Sequence, residues 1–261
     1  MQTLALLARV YNSSQLKQVN TILKSKLEGL NAAVQVVGVT SRGWVQITVS
    51  GEDEKVAIRW LDKEIGIAPT YLKNVRKFSE VKGRITALNE SKNTLRLDIG
   101  LFSPEIVDTT VPLQQLQAQL ADGRKIALKK LDELFGFCEN MPLTVKVSNV
   151  SEDGKNVEAV LAEKQLMTYR NWTSSLLDRL MILGAPINEV GLAVKSAGFE
   201  RDVVDIEPLG IFESAVACKL GTDAVGLIPR IGRTLRNAAF ATFSPRKIRA
   251  FLESNMTTSS V

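Results

Sequence analysis

The stretch that decides the fold is Val81-Lys-Gly-Arg-Ile-Thr-Ala87, followed after a polar turn at Asn89–Asn93 by Thr94-Leu-Arg-Leu-Asp-Ile-Gly100. Apolar and polar residues alternate in both arms, which is the signature of a half-buried hairpin. A helical passage comes next, with Leu113, Leu116 and Leu120, then Asp122-Gly123, then Ile126 to Phe135. Leu143-Thr-Val-Lys-Val-Ser148, a turn at Glu152-Asp-Gly-Lys155 and Val157–Leu161 form a second hairpin. Two hairpins separated by helix predict a small β-rich unit over residues 78–170.

Upstream, residues 3–11 read as a strand, and Asn12-Ser13-Ser14 offers capping oxygens to a helix carrying Leu16, Val19, Ile22, Leu23 and Leu27. Val34–Thr40 and Trp44–Val49 flank Ser41-Arg42-Gly43, with glycine where a hairpin needs positive φ. Gly51-Glu-Asp-Glu54 opens a second helix bearing Val56, Ile58, Trp60, Leu61 and Ile65. The order strand–helix–strand–strand–helix predicts a ferredoxin-like split βαβ domain over residues 1–77.

Downstream, residues 173–198 read as a helical hairpin about Gly184-Ala-Pro186, and residues 203–229 as three short strands turning at Leu209-Gly210 and Gly221-Thr-Asp223. With the basic segment after them they make a third unit, 171–255, and residues 256–261 are expected to be disordered. The hairpin's second helix has Lys195 as its one base, so major-groove DNA reading is not expected.

The strand pattern of 78–170, with Val81-x-Gly-x-Ile85, resembles the OB-type barrel of RNA-binding modules. Those modules stack bases on aromatics, whereas Leu95 and Leu97 take that strand here. Leu209-Gly-Ile-Phe212 with Gly226-Leu-Ile-Pro229 resembles the opening of a second, incomplete copy. The segments Leu180–Gly184, Gly198–Val204, Cys218–Arg233 and Phe243–Ile248 are similar to an archaeal family known as a domain of unknown function. That resemblance implies an archaeal cytoplasmic origin and carries no functional residue.

The 261 residues contain no histidine, which removes histidine-based acid–base, nucleophilic and metal chemistry. Neither common phosphate loop occurs. Cys138 and Cys218 read as free buried thiols, and no apolar run is long enough to span a membrane. Asp202, Asp205, Glu207 and Asp223 are the best carboxylate candidates for a cation, but a solvated acidic strand explains them more simply. No catalytic residue, cofactor or metal is expected.

Net charge is +5, and its distribution is uneven: residues 1–77 and 219–261 each carry +5, residues 171–218 carry −4. Polyanion attraction follows local basic density. Lys219, Arg230, Arg233, Arg236, Arg246, Lys247 and Arg249 are therefore the expected RNA-binding residues, the last six forming one surface anchored by Ala238–Phe243. Arg42, Trp44, Lys73, Arg76 and Lys77 form a secondary basic surface. The expected function is a non-enzymatic RNA-binding or ribonucleoprotein-associated factor, possible partners including the ribosome; the alternative is an assembly factor docking on protein alone.

Overall fold

A computed structural model describes residues 2–88, 93–151 and 156–254. Residues 89–92 of the expected turn at 89–93, the expected turn at 152–155 and the tail expected to be disordered at 256–261 lie outside the described residues. The chain is mixed α and β.

The N-terminal unit runs β1 (Gln2–Arg9), α1 (Ser14–Lys26), β2 (Ala32–Val39), β3 (Trp44–Gly51) and α2 (Glu54–Glu64). Its antiparallel sheet has the order β1-β3-β2. Gly43 sits at φ +81 in the β2–β3 turn, as the sequence predicts. Val19 and Leu23 of α1 and Ala57 and Leu61 of α2 bury completely against Val45, Ile47 and Val49 of β3. The free edge of β1 is closed by residues 66–68: Leu7 N–H donates to Gly66 C=O at 2.8 Å and Ala68 N–H to Ala5 C=O at 2.8 Å.

Residues 66–80 are thus no slack linker. After β4 (Thr70–Tyr71), Val75 is buried in the core of the next unit. That unit contains β5 (Glu80–Ile85), β6 (Thr94–Asp98), β7 (Leu101–Ser103), β8 (Thr109–Pro112), α3 (Leu113–Leu120), α4 (Leu128–Phe135), β9 (Pro142–Val150) and β10 (Val157–Leu161). Five strands close into a barrel in the order β10-β8-β6-β5-β9, with β10 returning to β9. All neighbours are antiparallel except β8 and β10. Leu95 and Leu97 point into the barrel with no exposure, so they fill the core rather than replace aromatics on its outer face.

The third unit departs from expectation. After α5 (Glu163–Ser175), whose Leu166, Tyr169 and Trp172 bury in the barrel's core, it runs β11 (Arg179–Leu183), α6 (Ile187–Ser196), β12 (Val203–Pro208), β13 (Glu213–Cys218), α7 (Ala224–Thr234), β14 (Ala239–Phe243) and α8 (Pro245–Glu253). The helical hairpin is corrected: Leu180 and Met181 lie on β11, an interior strand, and only its second arm is a helix. The three-strand β unit is corrected too, because the chain after Asp223 coils into α7. The sheet is open and wholly antiparallel, in the order β12-β13-β11-β14. The strand β11 takes the place of β1, β12 of β2, β13 of β3 and β14 of residues 66–68, so the two outer units follow one plan.

The faces of this second sheet bury differently. Leu180, Ile182, Val216 and Cys218 pack under α6 and α7. Met181, Leu183, Ala215 and Phe243 face the barrel's hydrophobic core, joined by Ile248 of α8. There Phe243 stacks on Tyr169 at 5.9 Å between ring centres and meets Trp172 edge-on at 5.3 Å.

Candidate nucleic-acid interface and the buried junction

Two places combine charge with a defined geometry: a buried polar junction where the three units meet, and the exposed basic faces. At the junction, Arg84 on β5 donates from both terminal nitrogens to the carboxylate of Glu213 on β13, at 2.8 and 3.0 Å. The Tyr11 hydroxyl donates to the same carboxylate at 2.7 Å, and Arg84 also donates to Asn140 C=O at 3.1 Å. The guanidinium lies over the Trp44 ring at 5.3 Å, and Trp44 Nε1–H donates to Asp98 at 2.8 Å. N-terminal unit, barrel and third unit each supply a member. Both charges of the Arg84–Glu213 pair are almost wholly buried. The paired carboxylate holds the Arg84 pKa above its ordinary value even though burial alone would lower it. Burial first, then the neighbouring Glu213 charge, raises the Tyr11 hydroxyl well above its ordinary range.

This junction corrects two expected surface residues. Trp44 is 2% exposed and engaged by Asp98, so it is no stacking platform. Arg42, on the same β2–β3 turn, pairs with Asp108 at 2.8 Å. The turn inserts against the barrel, and its apolar ring and cation are absorbed by that contact. Lys73, Arg76 and Lys77 remain exposed. Beside them stand two aromatics that the sequence reading passed over: Tyr71, 45% exposed, and Phe78, 65% exposed. Lys73 lies over the Tyr71 ring at 5.2 Å and Lys77 over the Phe78 ring at 5.3 Å. The adjacency Arg76-Lys-Phe78 was the available signal.

The C-terminal bases are all exposed. Arg230 and Arg233 lie on α7 and Arg236 just beyond it, while Arg246, Lys247 and Arg249 lie on α8. Lys219 follows β13. The single surface is corrected: α7 covers one face of the sheet and α8 packs against α5 and α4 on the other. Strand β14 anchors both, but Phe240 turns to the α7 side and Phe243 to the barrel side. The exposed bases therefore fall on two sides of the sheet. Among the described residues no ion pair joins these bases to Glu200, Asp202, Asp205, Glu207 or Glu213. Glu207 instead binds Arg179 at 3.1 Å and the Trp172 indole at 2.8 Å, and Glu200 stands 3.9 Å from Lys195. Arg230 lies over the Phe199 ring at 5.5 Å.

The carboxylate candidates disperse. Asp223 accepts the Val225 N–H at 3.0 Å as the N-cap of α7, Asp205 accepts the Ile206 N–H, and Glu207 is paired. Among the described residues no group of three acids or thiols is placed to hold a metal ion. Both cysteines are free, and burial pushes each thiol up to about 12. No described helix is long and apolar enough to cross a membrane.

A closed five-strand barrel between two sheets of one plan, with a buried ion pair at their junction, defines a multi-unit α+β protein. Profiles of the DUF2110 N-terminal, central and C-terminal domains match residues 3–70, 77–173 and 177–243. The chain belongs to the DUF2110 family, as the similarity of its C-terminal segments implied. No curated protein matches the sequence.

Among solved structures, an uncharacterised protein of Methanocaldococcus jannaschii is similar at 10% identity and a TM-score of 0.23, over 34% of this chain and 95% of that one. A chain of the a/eIF2alpha–aDim2p–rRNA complex of Pyrococcus horikoshii is similar at 11% identity and a TM-score of 0.25, over 49% and 70%. The intact alpha subunit of aIF2 from Pyrococcus abyssi is similar at 9% identity and a TM-score of 0.26, over 65% and 96%.

Proposed function

We propose that the protein binds RNA, as a non-enzymatic factor of ribonucleoprotein assembly or translation. The observation that carries this reading is that Arg230, Arg233, Arg236, Arg246, Lys247 and Arg249 are exposed and make no ion pair among the described residues. Exposed guanidinium groups left free of carboxylates suit bidentate phosphate contact and stacking on bases. The barrel supports the same reading. Numbered from β5, its strands run 1-2-3-5-4 and close on strand 1, strands 3 and 5 are parallel, and helix follows strand 3; we read it as OB-type. The outer units we read as two ferredoxin-like modules, over about 1–77 and 171–255.

Three ionisable groups of the barrel unit lie away from their ordinary values. Asp132 rises to about 7, Asp98 rises and Lys82 falls, in each case chiefly through burial. Asp98 is spent on Trp44 and on the Gly100 N–H.

A second reading, docking on a protein partner, is favoured by exposed Leu192, Val204 and Leu220 of the third unit. The two separate in one experiment. The tagged protein is isolated from native cells with and without nuclease treatment. RNA recovered with it, and partners lost on nuclease treatment, is the expected result. Partners retained without any RNA would replace the first reading with the second.

A further inference from the structure

Phe78 is a bulky residue in an uncommon state: it adopts φ +69 and is 65% exposed. Positive φ in such a residue is a true outlier, kept where the surroundings enforce it and concentrated at functional positions. Here the enforcement is visible. Phe78 N–H donates to Val147 C=O at 2.8 Å, Val147 N–H returns to Ser79 C=O at 2.9 Å, and Ser79 N–H donates to Arg76 C=O at 3.0 Å. The turn is therefore pinned to β9 while Val75 is sunk in the barrel core. Among the described residues the ring it holds out belongs to none of the buried apolar clusters. Two ammonium groups flank it instead, Lys77 at 5.3 Å and Lys146 at 5.7 Å from its centre.

The ground beyond Phe78 carries two more lysines, Lys82 and Lys164, beside two acids, Glu80 and Asp62. On the outer face of β5 and β9, Lys146 stands opposite Glu80, and the next outward row pairs Lys82 with Thr144. Lys82 opens into a cleft of about 950 Å³ between the N-terminal unit and the barrel, which Ser79 and Glu80 line at the Phe78 end and Lys164 of α5 also lines. Lys82 donates to the last carbonyls of α2, from Glu64 at 3.3 Å and Ile65 at 3.4 Å. Burial, and after it the charge of Lys164, lower the Lys82 pKa, while Glu64 and Asp62 act the other way. Two cations that repel across a cleft are relieved by an anion placed between them.

We propose that Phe78 is a base-stacking platform for single-stranded RNA, with Lys77 and Lys146 on the flanking phosphates and the strand passing into the cleft toward Lys82 and Lys164. An exposed aromatic set among cations is the recognition chemistry of an unpaired nucleotide, since every base offers a π-face and every link a phosphate. A protein partner's apolar side chain would gain nothing from two ammonium groups at the ring. The inference rests on the RNA-binding reading but is separate from the α7 and α8 bases.

The test uses the full chain, a labelled single-stranded oligouridylate and a labelled RNA duplex, with binding followed by fluorescence anisotropy across a salt series. Phe78→Ala should weaken single-strand binding roughly five- to a hundredfold, leave the salt slope unchanged and leave the duplex unaffected. Phe78→Trp should retain wild-type affinity. Lys77→Gln with Lys146→Gln should flatten the slope by about 1.4 if each cation meets one phosphate. Wild-type binding with an unaltered Phe78→Ala variant would overturn the platform and leave the RNA-binding reading standing, as would equal losses on single strand and duplex. A wild-type chain that binds neither RNA would overturn both.

Discussion

Glu213 receives three hydrogen bonds, from two nitrogens of Arg84 and from Tyr11, and its position leaves no room for a side chain at Gly210, where a Cβ would collide with the carboxylate. Breaking one partner of a buried pair strands the other charge, whereas replacing both with apolar groups removes the desolvation penalty as well. Glu213→Ala should therefore lower stability by about 3–5 kcal/mol. The double replacement Arg84→Met with Glu213→Leu should cost clearly less than either single change. Denaturant midpoints measure both; additive losses would show that the two charges act independently. None of this was legible in the sequence, where Glu213 closes an acidic stretch and Trp44 follows a basic turn. Long-range pairing across 129 positions leaves no local pattern, and an amphipathic Trp beside Arg looks the same at a surface as at an interface.

At the scale of elements, local signals were reliable where one face is wet. The strands β6 and β9 alternate in sequence and in burial, and α1 buries Val19 and Leu23 as expected, while α2 buries Leu61 with Ala57 and leaves the expected Val56 exposed. The misread elements are those where a pattern carries two meanings. Leu180-Met-Ile-Leu183 is apolar throughout because β11 is buried on both faces, and a short apolar run does not tell strand from helix. In α7, Leu227, Ile231 and Leu235 bury at helical spacing, but Pro229 inside the helix hid that period. Asp223 at its N-cap read as a turn residue, which is what an N-cap also is. The outward side of α7 is where charge should matter most. Arg230→Ala, Arg233→Ala and Arg236→Ala together should reduce the slope of log affinity for single-stranded RNA against log salt by about 2 if all three touch phosphate. The same slope in a triple variant with unchanged far-ultraviolet circular dichroism would make these arginines bystanders.

In the whole molecule, two outer units of one plan grip a barrel, and their cores are not separate. Phe212 of the third unit is buried in the N-terminal core, while Met181, Phe243 and Ile248 join the core of the barrel. Fixed relative positions would let the Phe78 turn, the α7 bases and the α8 bases act as distant contacts on one polyanion, so that each adds to the total salt dependence. The basic ends were legible as charge counts; that the C-terminal bases fall on two sides of the sheet was not, because a sheet with helices on both faces sends neighbours in sequence to opposite sides. Contact with RNA phosphate is the proposed property that joins these surfaces. It is tested most directly by titrating the full-length protein into labelled single-stranded RNA at a series of salt concentrations. The predicted result is saturable binding whose log affinity falls linearly with log salt, steeper than 2, since the α7 arginines alone account for about that much. Binding that is absent at low salt, or present with a slope near zero, would exclude that contact.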